Sequence, residues 1–160
     1  MKSISHKVFI YIFISLFVVF IGRFLYGIHV RTQFELKRLE KNSVLASTRL
    51  ANISVKPILN NDLNLLKSYV SIEALDENIY SIQILNQNNR LYTGSLRTKK
   101  GLSQINSDQL LVLHQDSIVK PVLYQGKMIG KIVVYSNKEV VQQYIGELKL
   151  IFFLELGAFF

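Results

Sequence analysis

Residues Val8–Gly22, VFIYIFISLFVVFIG, form an unbroken run of apolar and small polar side chains. After Arg23 the apolar character resumes through Ile28. Taken as one helix, Val8–Ile28 is about 30 Å long at ~1.5 Å per residue, the thickness of a bilayer's hydrocarbon core. Arg23 lies about one and a half turns from the far end, where its guanidinium can reach the headgroups at modest cost. Tyr11 and Tyr26 fall near the two interfaces, where amphipathic rings are favoured. No small-x-small cleavage pattern follows, and the run is long for a signal core. The sequence therefore predicts an uncleaved membrane anchor over residues 8–28, preceded by a short terminus, residues 1–7.

The other end is apolar too. Leu148–Phe160 reads LKLIFFLELGAFF. As a helix it reaches only ~20 Å, too short to span. The expectation is that residues 147–160 begin a second transmembrane helix that is cut short. A complete chain ending in an amphipathic or buried helix is the competing reading. Glu155 is uninformative in a helix that is incomplete.

The residue inventory removes several classes of function. The formal net charge is +8, but the basic residues are scattered. With no run of five or six like charges, no nucleic-acid arm is present and nucleic acid is not expected as a partner. A basic surface beside a membrane suits anionic headgroups or an anionic ligand, although a merely soluble basic surface has the same composition. The chain has no cysteine. That excludes disulfides, cysteine-based zinc sites and a thiol nucleophile. His6, His29 and His114 lie far apart and show no metal-ligand spacing. No paired carboxylate, Ser-His or metal constellation appears, so no catalytic residue, metal or cofactor is assigned.

Between the apolar ends the period of the pattern changes. Residues 29–56 read as a long helix leaving the membrane. Within it Leu36, Leu39, Ser43, Ala46, Leu50 and Ile53 follow alternating steps of three and four. That stripe is either a seam packed on the helix's own domain or the contact line of a parallel dimer that transmits motion. Pro57 is expected to end or kink the helix. Asn60, Asn61 and Asp62 are good N-cap types for a short helix over residues 62–76, with Leu66, Tyr69, Val70 and Leu75 as its buried face.

Ile79–Leu85 then alternates Tyr80, Ile82 and Ile84 against Ser81 and Gln83, the pattern of a half-buried strand. Asn86–Asn89 supplies turn residues and Leu91–Ser95 a returning strand. Leu96–Asp108 reads as a loop and Leu110–Leu113 as a short strand. Ser117–Tyr124 and Met128–Tyr135 flank the hairpin signal Gln125-Gly126-Lys127. Pro121 belongs on an edge or at a bulge, and Gly130 marks a close approach. Asn137 is placed to cap a last helix. The fold class is therefore α+β: an antiparallel sheet over residues 79–136 with a long N-terminal helix, flanked by transmembrane helices.

Pro57-x4-Asp62-x3-Leu66, IYSIQILNQNNRLYTGS and IVKPVLYQGKMIGKIVVYSN together resemble an extracytoplasmic PAS-like sensor domain of the Cache or CHASE type. The nearest likeness is to the amino-terminal sensory region of hybrid sensor histidine kinases of the BarA/GacS type. The resemblance implies a PAS-like domain over residues 29–146, exposed outside the cytoplasmic membrane of a bacterium, with the amino terminus inside. The flanking charges alone do not decide that orientation, because Lys2 and Lys7 face Arg31, Lys37 and Arg38 across the anchor. It also implies a homodimer whose helices pass a signal through the membrane to a kinase output of a two-component system. Similar input domains precede diguanylate cyclases and phosphodiesterases. A non-signalling, pilus-like or envelope-assembly protein is the remaining alternative.

PAS-like domains hold ligands between the sheet and its covering elements. On the predicted strands Tyr80, Tyr92, Tyr124 and Tyr135, with Lys120 beside Pro121, offer aromatic faces and a cation for a small anionic ligand. The same tyrosines also suit an ordinary strand core, and Lys120 a solvated surface. Arg97, Lys99 and Lys100 are expected in a solvated loop, with lipid headgroups as a second possibility.

Overall fold

A computed structural model describes residues 2–105 and 117–158 and divides the chain into two units: Met1–Glu35 with Tyr144–Phe160, and Leu36–Gln143. The predicted strand Leu110–Leu113 and His114 lie outside the described residues.

The first unit is helical. Helix α1, Lys2–Ile53, is a single element of 52 residues that begins here and continues into the second unit. Its Lys7–Ile53 portion is, among the described residues, the one helix long and apolar enough to cross a membrane. Helix α4, Lys138–Ala158, returns to this unit from Tyr144. Phe152 stacks on Phe24 with ring centroids 3.7 Å apart and lies 5.7 Å from Phe20. Within this unit many apolar side chains of α1 are bare: Phe9, Leu16, Val18 and Val19 are all more than half exposed.

The second unit is a five-stranded antiparallel sheet with helices on one face. Its strands are β1 Ile79–Asn86, β2 Leu91–Thr98, β3 Gly101–Gln104, β4 Ser117–Tyr124 and β5 Lys127–Ser136. The spatial order is β3-β2-β1-β5-β4. Between α1 and the sheet the chain makes α2, Val55–Leu59, and α3, Leu63–Glu73. Leu50 and Ala46 of α1, Ile58 of α2, and Leu66 and Val70 of α3 join Ile82, Ile84, Ile132 and Val134 of the sheet in the main core.

The long helix breaks in the turn before Pro57, as expected of a proline there. The break falls at Ser54, and Pro57 sits in the first turn of α2. A first-turn residue needs no intrahelical donor, so proline costs nothing there. Had α1 run on, the ring would have met the carbonyl of Ile53, four residues back. In α3 the cap is Asp62, whose side chain accepts from the Leu65 amide at 3.0 Å. The buried face of α3 is Leu66 and Val70, continued by Ala74 one turn later. Leu75, expected inside, is exposed because the helix has ended at Glu73.

The strand β1 is not half-buried as its alternation implied. It lies between β2 and β5, and Ser81 and Gln83 are buried along with Ile82 and Ile84. Its register with β5 slips between Ile79 and Ser81, and Tyr80 is left exposed at that bulge. The predicted loop from Leu96 is also corrected. β2 runs to Thr98, and Gly101 at φ +118° turns the chain into β3, which pairs with β2. β3 is an edge strand exposed along its whole length, so no apolar alternation marked it.

The closing hairpin has the two-residue turn Gln125–Gly126, both at positive φ, the geometry that matches strand twist. Pro121 stands on the edge strand β4, where its missing donor is harmless. At Gly130 a Cβ would lie 2.8 Å from the backbone carbonyl oxygen of Leu85, so glycine is required by the approach of β1.

The apolar stripe of α1 lies largely inside this unit. Leu39, Ser43, Ala46 and Leu50 are buried, whereas Leu36 is half-buried and Ile53 exposed. The serine in the stripe has a partner on the sheet: Ser43 Oγ and Ser136 Oγ are 2.8 Å apart. The four buried members are thus occupied by the chain's own fold and are not presented to a second chain.

Candidate functional site

The junction of β5 and α4 is tied by hydrogen bonds to the turn that precedes β1. Asn137, almost fully buried, donates from its backbone to Asn78 O at 2.7 Å and from its side-chain amide to Glu77 O at 2.9 Å. The expected capping residue therefore ties the start of α4 to the turn between α3 and β1. That turn is braced internally: Asp76 Oδ1 accepts from Asn78 N at 2.9 Å and from Asn78 Nδ2 at 2.7 Å.

The same turn is held from β2. Arg97 donates through Nη2 to the carbonyls of Ala74 at 2.8 Å and Asp76 at 3.1 Å, with Leu75 O at 3.4 Å. Its Nε donates to Ile79 O at 3.2 Å. A guanidinium at a helix C-terminus meets carbonyls that have no intrahelical partner and the negative end of the helix dipole. Arg97 is therefore not a solvated loop residue but a clamp joining β2 to the end of α3 and the start of β1.

Beside this clamp is a groove of about 470 Å³ lined by Tyr80, Leu96, Arg97, Thr98, Lys99, Asn137, Glu139, Val140 and Gln143. A second groove, about 330 Å³, lies among Leu36, Leu39, Glu40, Ser117, Ile118, Ser136 and Lys138.

The five residues expected to hold a ligand do not converge. Tyr80 lines the larger groove. Tyr92 is half-buried against the main core. Lys120 is exposed on β4 opposite Ile132, hence on the helix-covered face, since directly paired residues share a face. Tyr124 is exposed at the hairpin end. Tyr135 is buried on the other face, with Leu85, Val133 and Leu91. Burial pushes the Tyr135 phenol above its ordinary value, because the phenolate loses solvation. The native chain then holds that proton to higher pH than the unfolded chain does. Stability is full below the unfolded tyrosine value of about 10 and falls as pH rises through the native one. Alkaline denaturation followed by circular dichroism is expected to be shallower in Tyr135→Phe than in the parent.

That second face also holds a polar side chain that the sequence placed at the surface. Gln83 is fully buried, and neither its Nε2 nor its Oε1 makes a hydrogen bond. Its neighbours on β2 and β5 are Gly94 and Val133. An unpaired buried amide costs about 1–3 kcal/mol. Gln83→Met, which keeps the volume and removes the amide, is expected to raise stability by about 1–2 kcal/mol. An unchanged or lowered melting temperature would mean that the amide is satisfied in solution.

Among the described residues no group of three or more histidine, cysteine, aspartate or glutamate side chains is placed to hold a metal. Comparison with protein-family models finds no match, and comparison with curated proteins finds none.

Proposed function

We propose that this chain is the sensory input region of a transmembrane signal-transduction receptor, a histidine kinase of a two-component system whose catalytic parts belong to the receptor and not to these residues. One observation carries the reading. The mixed α+β unit is entered and left by helices that meet again in one helical unit, where Phe152 stacks on Phe24. Any change in the sheet unit that moves the start of α4 relative to α1 is then passed into that helical pair.

The bare apolar surface of α1 supports a lipid environment for the helical unit, since a soluble chain rarely leaves so long an apolar run uncovered. The sheet unit, with its PAS-like combination of a long helix and an antiparallel sheet, is the sensor, and it lies outside the cytoplasmic membrane. A homodimer of such chains would pair through side chains that the fold leaves exposed on α1, Val44 and Leu45 among them, rather than through Leu39, Ala46 and Leu50.

Because the chain has no cysteine, one introduced cysteine reports one site. In intact cells a membrane-impermeant maleimide is expected to label Asn88→Cys and to leave Lys2→Cys unlabelled. Labelling only Lys2→Cys would reverse the orientation, and labelling both or neither would remove the membrane from the account.

A further inference from the structure

We propose that the groove between the end of β2 and the first turns of α4 binds a small zwitterion, with its anionic group on Lys99 and its cationic group on Glu139. This rests on the sensor reading and gives that sensor a ligand class and a place to act.

The lining divides into parts with different tasks. Arg97 is already committed to four backbone carbonyls, so it forms wall rather than ligand contact. Tyr80, Leu96 and Val140 supply apolar surface. Gln143 supplies a neutral hydrogen-bonding group, whereas the Thr98 hydroxyl already donates to Gly101 O. Two charges remain. Lys99 comes from the turn after β2, and Glu139 from the first turn of α4. Neither has an ion-pair partner among the described residues. A single anion would satisfy Lys99 and be repelled by Glu139, and a single cation the reverse. A molecule carrying both charges beside an apolar portion satisfies both walls at once. A volume of about 470 Å³ admits a ligand the size of an amino acid with a large side chain.

The place gives the binding a consequence. One wall is sheet and the other is the start of α4, whose attachment to the α3–β1 turn runs through Asn137. A ligand drawn to both walls favours whichever position of α4 closes the groove, and it shifts the population by its difference in affinity for the two positions.

The test is calorimetric titration of the full chain in detergent micelles with L-phenylalanine and L-leucine, and with phenethylamine and phenylpropanoate, which each lack one charge. Both amino acids are expected to bind, and each single-charge analogue to bind about tenfold more weakly than L-phenylalanine. Glu139→Gln is expected to weaken L-phenylalanine about tenfold while leaving phenylpropanoate unweakened. Lys99→Gln does the same with phenethylamine as the insensitive probe. Both side chains are exposed, so these changes leave the fold intact. The proposal is overturned if neither amino acid binds, if the single-charge analogues bind as well as L-phenylalanine, or if both variants bind like the parent. If binding fails while Asn88→Cys is still labelled from outside, the groove assignment alone falls. If binding holds and the labelling pattern reverses, the membrane placement falls and the site stands.

Discussion

Leu50→Ala is expected to lower the unfolding free energy by about 3 kcal/mol, with no dependence on protein concentration. Leu50 is fully buried where α1 meets the sheet, in the same cluster as Ile82, Ile84, Ile132 and Val134. Truncation removes its transfer free energy and leaves a cavity that strands fixed by their own pairing can close only in part. If this position were the contact line of a parallel dimer, the loss would instead appear as a shift in the dimer equilibrium and would grow on dilution. Denaturation of the full chain in detergent at two protein concentrations separates these cases. Leu75→Ala is the control: its side chain is exposed and lies outside α1, and its change should stay within about 0.5 kcal/mol. A Leu50→Ala variant as stable as the Leu75→Ala control would mean that α1 does not pack on the sheet.

The stripe through Leu39, Ala46 and Leu50 shows how far periodicity alone reaches. Steps of three and four specify that one face of the helix is covered but not by what, because a sheet and a second helix ask for the same spacing. Ser43 was the distinguishing residue. In a dimer seam it would face its own copy, whereas here it meets Ser136 on β5. The antiparallel hairpins were legible for a different reason. Asn89, Gln125 and Gly126 all stand at positive φ, a conformation that selects its residues strongly. Strand β3 was not legible, because an edge strand exposed on both faces has no apolar code to read.

The candidate site was less legible than the fold. Aromatic residues on strands drew attention to Tyr92, Tyr124 and Tyr135, yet sheet order scatters them over two faces and a hairpin end. Alternation in Tyr80-Ser-Ile-Gln-Ile placed Gln83 in solvent, yet it is buried on β1 opposite Gly94, over which Ile105 packs. Lys99 and Glu139 are forty positions apart, and nothing local signals that they share a groove. Asn137 was marked by its residue type, but its partner, Glu77, is set by the long-range pairing of β1 with β5. Residues whose role is fixed by their neighbours in sequence are read from sequence. Those fixed by sheet order are not.

Arg97 belongs to the second group, and its removal is expected to have an effect as large as that of Leu50. Arg97→Ala should cost about 3 kcal/mol, because bonds from a charged donor are worth about 1.5–3 kcal/mol and the carbonyls it leaves are part-buried. Arg97→Lys keeps the charge at the end of α3 but has no planar fork to serve Ile79 and Ala74 together, so it should restore less than half of the loss. The damage is also expected to be local. Ala74, Leu75, Asp76 and Ile79 surround the turn to which Asn137 fastens α4. In native-state hydrogen exchange the amides of Ile79 and Asn137 should therefore lose protection in Arg97→Ala before those of the β4–β5 hairpin do. Uniform loss across the sheet would make Arg97 a contributor to global stability only. Earlier opening at Ile79 and Asn137 would identify the clamp as the element that sets how firmly the exit helix is held to the sheet.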